Sequence, residues 1–247
     1  MARRIAVAVV SGVPMFAHFA GAQSPPGYAM HGLAGGVFVE QVHSEVTTQT
    51  GSAERHRTIT RVARYAATVR ADTLVITADS LRLDETADGT HQVIDVDAVI
   101  GGRWRLLIDA RGLATVVEVP FVPGTVADVS DLSSAMDDFF PAAPPMIAPG
   151  AQFTDSSHRA WRRLADSAAA RRFRWSEQRP SDTTYMGPDS VQVHTMETAH
   201  EDGNVAWNVQ RGPVAWSRHI QTTVTSHFAG RTVRAIADQR IVVSRLR

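Results

Sequence analysis

Residues Val93 to Asp109 read VIDVDAVIGGRWRLLID, and how this stretch is taken decides the fold. Ile94, Val96, Ala98 and Ile100 alternate with Val93, Asp95, Asp97 and Val99. After Gly101 and Gly102, the residues Trp104, Leu106 and Ile108 alternate with Arg103, Arg105 and Leu107. A period of two is the signature of a strand with one dry face, so the stretch predicts two strands and a turn. A two-residue loop would set Ile100 opposite Arg103 and mix apolar side chains with arginine on one face. A three-residue loop instead pairs Val99 with Arg103, Asp97 with Arg105 and Ala98 with Trp104, and asks for a glycine in the left-handed conformation. Residues 109–112 then turn the chain into a third strand, Leu113 to Val119, giving a meander.

Working outward, Val37 to Thr47, Thr58 to Arg70 and Thr73 to Leu83 carry the same β-branched, turn-punctuated pattern, so residues 37–120 form a β-rich half. Residues 121–150 change character. Pro120, Pro123, Pro141, Pro144, Pro145 and Pro149 surround Asp131 to Phe140, where Leu132, Ala135, Met136, Phe139 and Phe140 recur at helical spacing after a cap at Ser130 or Asp131. This predicts a proline-rich connector with a short helix, a linker or a lid over a sheet. Residues 151–247 form a second β-rich half. It starts with a helix over Ser156 to Ala170 capped by Asp155, and continues with strands Phe173 to Gln178, Val191 to Thr198, Val205 to Gln210, Val214 to His227 and Arg231 to Leu246. Gly203-Asn204 and Ala229-Gly230 read as turns. The expected class is mainly β, a large curved antiparallel sheet or sheets with one or two short helices. Whether the two halves share one plan stays open.

Composition removes whole chemistries. All 25 cations among the 247 residues are arginine, and there is neither lysine nor cysteine. That excludes a Schiff-base amine, a P-loop lysine, a thiolate nucleophile, a cysteine-ligated metal and a disulfide. Residues 1–23 read as a signal peptide: Arg3 and Arg4, an apolar run from Ile5 to Ala20, then Ala20-Gly21-Ala22 as a cleavage site. Residues 24–36 form a flexible arm. Cleavage near Ala22 leaves 23 cations against 25 anions, which points to no nucleic acid, and the lack of cysteine to no lipid anchor. The expected location is periplasmic or secreted.

Asp95 and Asp97, about 6.6 Å apart on one strand face, could form a carboxylate pair, but the register above gives Asp97 the partner Arg105. Arg159, Arg162 and Arg163, near Arg171, Arg172 and Arg174, form a candidate site for an anionic ligand, although in a lysine-free chain every solvated basic face is arginine-rich. The histidines show no metal-ligand spacing, so neither a metal nor a cofactor is expected, and His194, His200, His219 and His227 could meet a carboxylate only through the fold. No serine nucleophile motif is present. Trp104, Trp207 and Trp216, with Phe139 and Phe140 from the connector, are the candidate lining of an apolar groove.

The stretch Met136 to Asp155, MDDFFPAAPPMIAPGAQFTD, with the Trp104 to Gly112 segment upstream, resembles a pattern in uncharacterised exported bacterial β-rich proteins. In outline these are similar to the curved-sheet carriers of lipoproteins and lipids in the periplasm. The resemblance implies the architecture and no catalytic residue. The expectation is an exported soluble protein that binds a lipid or other apolar ligand, an envelope component or an envelope protein, without catalysis. The alternative is an exported hydrolase whose carboxylate and histidine meet only in three dimensions.

Overall fold

In the computed structural model, residues 35–108, 114–137, 139–167, 170–187 and 191–246 are described. The expected signal peptide, all but the end of the arm, and the turn at 109–112 lie outside them. The protein is mainly β, as the period-two pattern implies. Twelve strands form one antiparallel sheet that does not close. From β1 (Gly36–Thr50) at its centre the chain runs outward through β2 (Ala53–Arg70) and β3 (Thr73–Ala87). It continues by way of β4 (Thr90–Ile94) to β5 (Arg103–Ile108) and the edge strand β6 (Ala114–Glu118). A connector containing α1 (Gly124–Ala127) carries it to the opposite edge. It returns through β7 (Gln152–Thr154), β8 (Ala160–Arg163), β9 (Arg171–Met186), β10 (Gln192–Asn208) and β11 (Gly212–Phe228) to β12 (Arg231–Arg245). There β12 pairs with all but the first two residues of β1, from Phe38 opposite Arg245 to Thr50 opposite Val233.

The Val93–Ile108 hairpin is a correction. Its two arms do not pair with each other; both pair with β3. Leu83 stands opposite Ile94, and Ile76 opposite Trp104. Between them Asp97–Val99 is a 3-10 turn, and Asp95 Oδ1 accepts the Asp97 amide at 3.1 Å, so the two carboxylates belong to a turn and Arg105 pairs with Glu118 at 3.1 Å instead. The physical reason is burial. Strand geometry would put Val96 and Val99 on opposite faces, whereas a 3-10 turn brings residues three apart to one side, and both are buried. The glycines serve this docking: Gly101 has φ +80° and donates to the Ala78 carbonyl at 2.8 Å.

Both predicted helices are also corrected. Around Asp131 the cap forms, since Asp131 Oδ1 accepts the amides of Ser133 and Ser134 at 3.2 Å each. The chain then continues as separate turns rather than a helix. The only helix among the described residues, α1, lies earlier. Separate turns already bury Leu132, Met136 and Phe139 against the sheet, so the apolar spacing is satisfied without a helix. Over the described part of 156–170, Ala160–Arg163 is a strand paired to β9, which puts Trp161 directly opposite Trp175. Gly203 is no turn either; it sits in the middle of the 17-residue β10. The turn at Ala229-Gly230 stands where expected, and Asp88-Gly89, which the sequence also reads as a hairpin turn, joins β3 to β4; all four residues have positive φ.

Candidate functional site

Strand parity divides the sheet into an inner face, which the connector crosses, and an outer face. At one end of the inner face the aromatic residues collect. Trp104, Trp207 and Trp216 are 1%, 0% and 3% exposed, and the connector supplies Phe139 and Phe140, whose rings lie 5.4 and 5.8 Å from Trp216. Phe139 also meets Tyr65 edge-on at 5.3 Å, and Trp104 Nε1 donates to the Leu132 carbonyl at 3.2 Å. The five residues read from the sequence as a groove lining thus come together, and the chain's own connector packs among them. Leu132 and Met136 are buried beside them, so the apolar face expected of the helix is buried without the helix.

A belt of buried ion pairs bounds this core. In one cross-strand row run Arg61, Val42, Ile241, Arg218, Gly203, Trp175 and Trp161. Arg61 grips Glu40 with two hydrogen bonds of 3.0 and 3.2 Å and donates to Ser130 Oγ of the connector at 3.1 Å; Tyr65 also donates to Glu40. Burial pushes the Tyr65 hydroxyl pKa up and the Glu40 charge adds to it, so it stays a neutral donor. On the other side Arg218 grips Glu201 at 2.8 and 3.0 Å, joined by Arg179 at 2.9 Å and by Trp175 Nε1 at 3.3 Å. Burial acts to raise the Glu201 pKa, but the hydrogen bond and charge of Arg218, with the charges of Arg159 and Arg179, outweigh it and hold the group below the ordinary carboxylate range. Gly203 makes this possible: a Cβ there would collide with the Trp175 indole, which lies over β10.

Beyond the belt the inner face continues to the far ends of the strands. Its floor there is Val46 on β1, Val233, Ala235 and Ala237 on β12, and Val224 and Phe228 on β11, interleaved with threonines. None of the six belongs to the contiguous core; Val233 is itself buried and the other five are half-buried. An apolar floor therefore extends past the end of the packed interior.

The candidate arginines separate by parity. Arg159 and Arg163 turn inward, where they pair with Glu177 at 2.7 Å and Asp166 at 2.6 Å, while Arg162 turns outward, directly opposite Arg174. A helix would have left the three on neighbouring positions; the strand splits them. The histidines His194, His200, His219 and His227 all lie on the outer face, as do His43, His56 and His91. The buried carboxylates Glu40, Glu85, Glu177 and Glu201 lie on the inner one, each paired with arginine. The sheet itself stands between the two sets. Sequence reasoning missed Glu40–Arg61 and Glu201–Arg218. Their signal was a charge on the dry face of an otherwise alternating strand, readable only once the strand's inward parity is known.

No family model matches the chain, and no curated protein matches it. Among solved structures it is similar to lipovitellin, described for its lipid–protein interactions, with a TM-score of 0.55 and 7% identity over 86% of this chain. The chain spans 25% of that lipovitellin chain. OccK11 (OpdR) of Pseudomonas aeruginosa also matches, with a TM-score of 0.25 at 8% identity, covering 91% of this chain and 99% of that one. The lipovitellin likeness is one of fold.

Proposed function

We propose that this protein is an exported, non-enzymatic holder of an apolar ligand, and that the ligand lies on the open half of the inner face. The observation that carries the reading is the floor of Val46, Val224, Phe228, Val233, Ala235 and Ala237, which continues the inner face beyond the ion-pair belt and outside the packed core. An apolar surface of this kind gains free energy when covered, at about 25 cal/mol per Å². The aromatic end is the anchored wall behind it, filled by the connector. The lipovitellin-like sheet supports the reading, because lipid–protein interactions are what that structure is described for. The placement of buried carboxylates and histidines on opposite faces favours holding over hydrolysis. Export rests on the first 23 residues, and the protein would reach the periplasm or the medium cleaved near Ala22.

Native mass spectrometry of the protein purified without detergent tests the ligand: retained acyl species are expected. A bare protein that also fails to take up a fluorescent apolar probe, with Val224→Asp behaving like the parent, would overturn the reading. N-terminal sequencing of the exported fraction should begin near Gln23; a chain beginning at Met1 would refute the address.

A further inference from the structure

The outer face of β8 and β9 carries a cluster of arginines. Trp161, Phe173 and Trp175 turn inward and are buried, so the alternate residues Arg162, Arg172 and Arg174 stand together on the outer side. Arg162 is directly opposite Arg174, at about 5.5 Å between Cα atoms. Arg172 lies two residues along the same face of β9, about 6.6 Å from Arg174. Leu164 donates to the Arg172 carbonyl at 2.8 Å, so the two strands run side by side as far as that residue. All three arginines are exposed, and among the described residues their side chains make no hydrogen bond or ion pair.

Like charges directly opposite one another repel and destabilise the sheet. The acids around them are engaged elsewhere. Asp202, diagonal to Arg174 on β10, faces His219 at 3.7 Å, and Asp166 takes the fork of Arg163 at 2.6 Å. Asp155 accepts the Trp161 indole N–H and the amides of Ser157 and Arg159. The row itself is completed by uncharged residues, Gln152 beyond Arg162 and Asn204 beyond Arg174. A charged surface in contact with this face senses the local sum rather than the charge of the whole chain, because salt screens beyond about 8 Å. Nor does the face offer the apolar or aromatic centre that a protein interface needs, since Thr154, Ala160 and Ser176 in the adjoining row are small or polar.

We infer that the outer face of β8 and β9 docks the protein on the phosphate layer of an anionic membrane. Guanidinium groups at these spacings meet repeated phosphates through charge-assisted hydrogen bonds, and the contact removes the repulsion between Arg162 and Arg174. Each arginine at such a surface strengthens binding about fivefold. The inference goes beyond the ligand reading and does not depend on it. The patch and the apolar floor lie on opposite faces of the sheet, so a protein docked in this way keeps its floor uncovered.

Co-sedimentation of the full protein with vesicles would compare phosphatidylcholine alone with an equal mixture of phosphatidylglycerol and phosphatidylcholine, at low and at high salt. Binding to the mixture only, weakened by salt, is expected. The triple variant Arg162→Gln/Arg172→Gln/Arg174→Gln should weaken it about a hundredfold. Arg162→Lys/Arg172→Lys/Arg174→Lys should bind nearly as the parent does, because the membrane senses the charge. Arg82→Gln, at an outer-face arginine paired with Asp84 at 2.8 Å, should also bind like the parent. Urea unfolding of the glutamine variant should match or exceed the parent's stability, which shows that it is folded. Equal binding of the parent to the two kinds of vesicle, or parental binding by the glutamine variant, would overturn the inference. Polyglutamate bound more tightly than the mixed vesicles would assign the patch to an acidic protein and overturn it too. Loss of vesicle binding in Val224→Asp would move the contact to the inner floor, with the same consequence, whereas a bare, ligand-free floor would leave the docking face standing.

Discussion

Trp104 shows what a single residue contributes. It is 1% exposed and its indole N–H is satisfied by the Leu132 carbonyl, so Trp104→Ala removes both packing and the tie to the connector. A loss of about 3 to 5 kcal/mol in urea unfolding is expected; under about 1 kcal/mol would mean that the side chain lines open space. Glu201 is the other decisive residue. Glu201→Gln removes the buried carboxylate that Arg218 and Arg179 share, at about 3 to 5 kcal/mol near neutral pH. The sign of the pH effect follows from its lowered pKa. The unfolded chain binds a proton near pH 4 that the folded chain refuses. The contribution is therefore full above about pH 4.5 and fades as pH falls through the lower folded value. Unfolding curves from about pH 7 to about pH 3 should show the variant losing less stability on acidification than the parent; parallel curves would deny Glu201 this role. The burial of Trp104 was legible in its alternating neighbours. The role of Glu201 was not, because an acid in a strand reads as outward-facing until the register shows it inside.

Among the elements, β10 and the connector departed furthest from their sequence signals, for different reasons. Glycine inside β10 imitates a turn, yet Gly203 is there because the Trp175 ring needs the space above it. Gly203→Ala is expected to displace that ring from Glu201 and to cost about 1 to 3 kcal/mol as overpacking. The change should show as an altered tryptophan near-UV circular dichroism signal, and an unaltered spectrum with parental stability would contradict it. In the connector the local signals were sound: the Asp131 cap forms and Leu132, Met136 and Phe139 are buried. What failed was regularity, since a run of separate turns satisfies the same burial as a helix. The segment at 156–163 misled for a related reason. Trp161 is buried by either conformation, and the direct pairing with Trp175 decides for the strand.

For the whole molecule, the pairing of β1 with β12 unites residues on either side of the connector in one sheet. Removing β12 should therefore abolish cooperative unfolding of the entire chain. A sharp transition in the 1–230 fragment, followed by far-UV circular dichroism and tryptophan fluorescence, would show instead that the halves fold alone. The sequence by itself determined the class, the dry face of most strands, two of the turns and the residues that fill the aromatic end, because side-chain period and turn chemistry are local properties. Only the tertiary structure decided that β3 takes both β4 and β5, that β1 meets β12, that the connector fills the aromatic end, and that Arg162, Arg172 and Arg174 gather on the outer face. Strand pairing is made by backbone groups that are alike in every residue. The neighbour is therefore chosen by the closing of the whole sheet, and with it which charges are buried in pairs and which are left facing water.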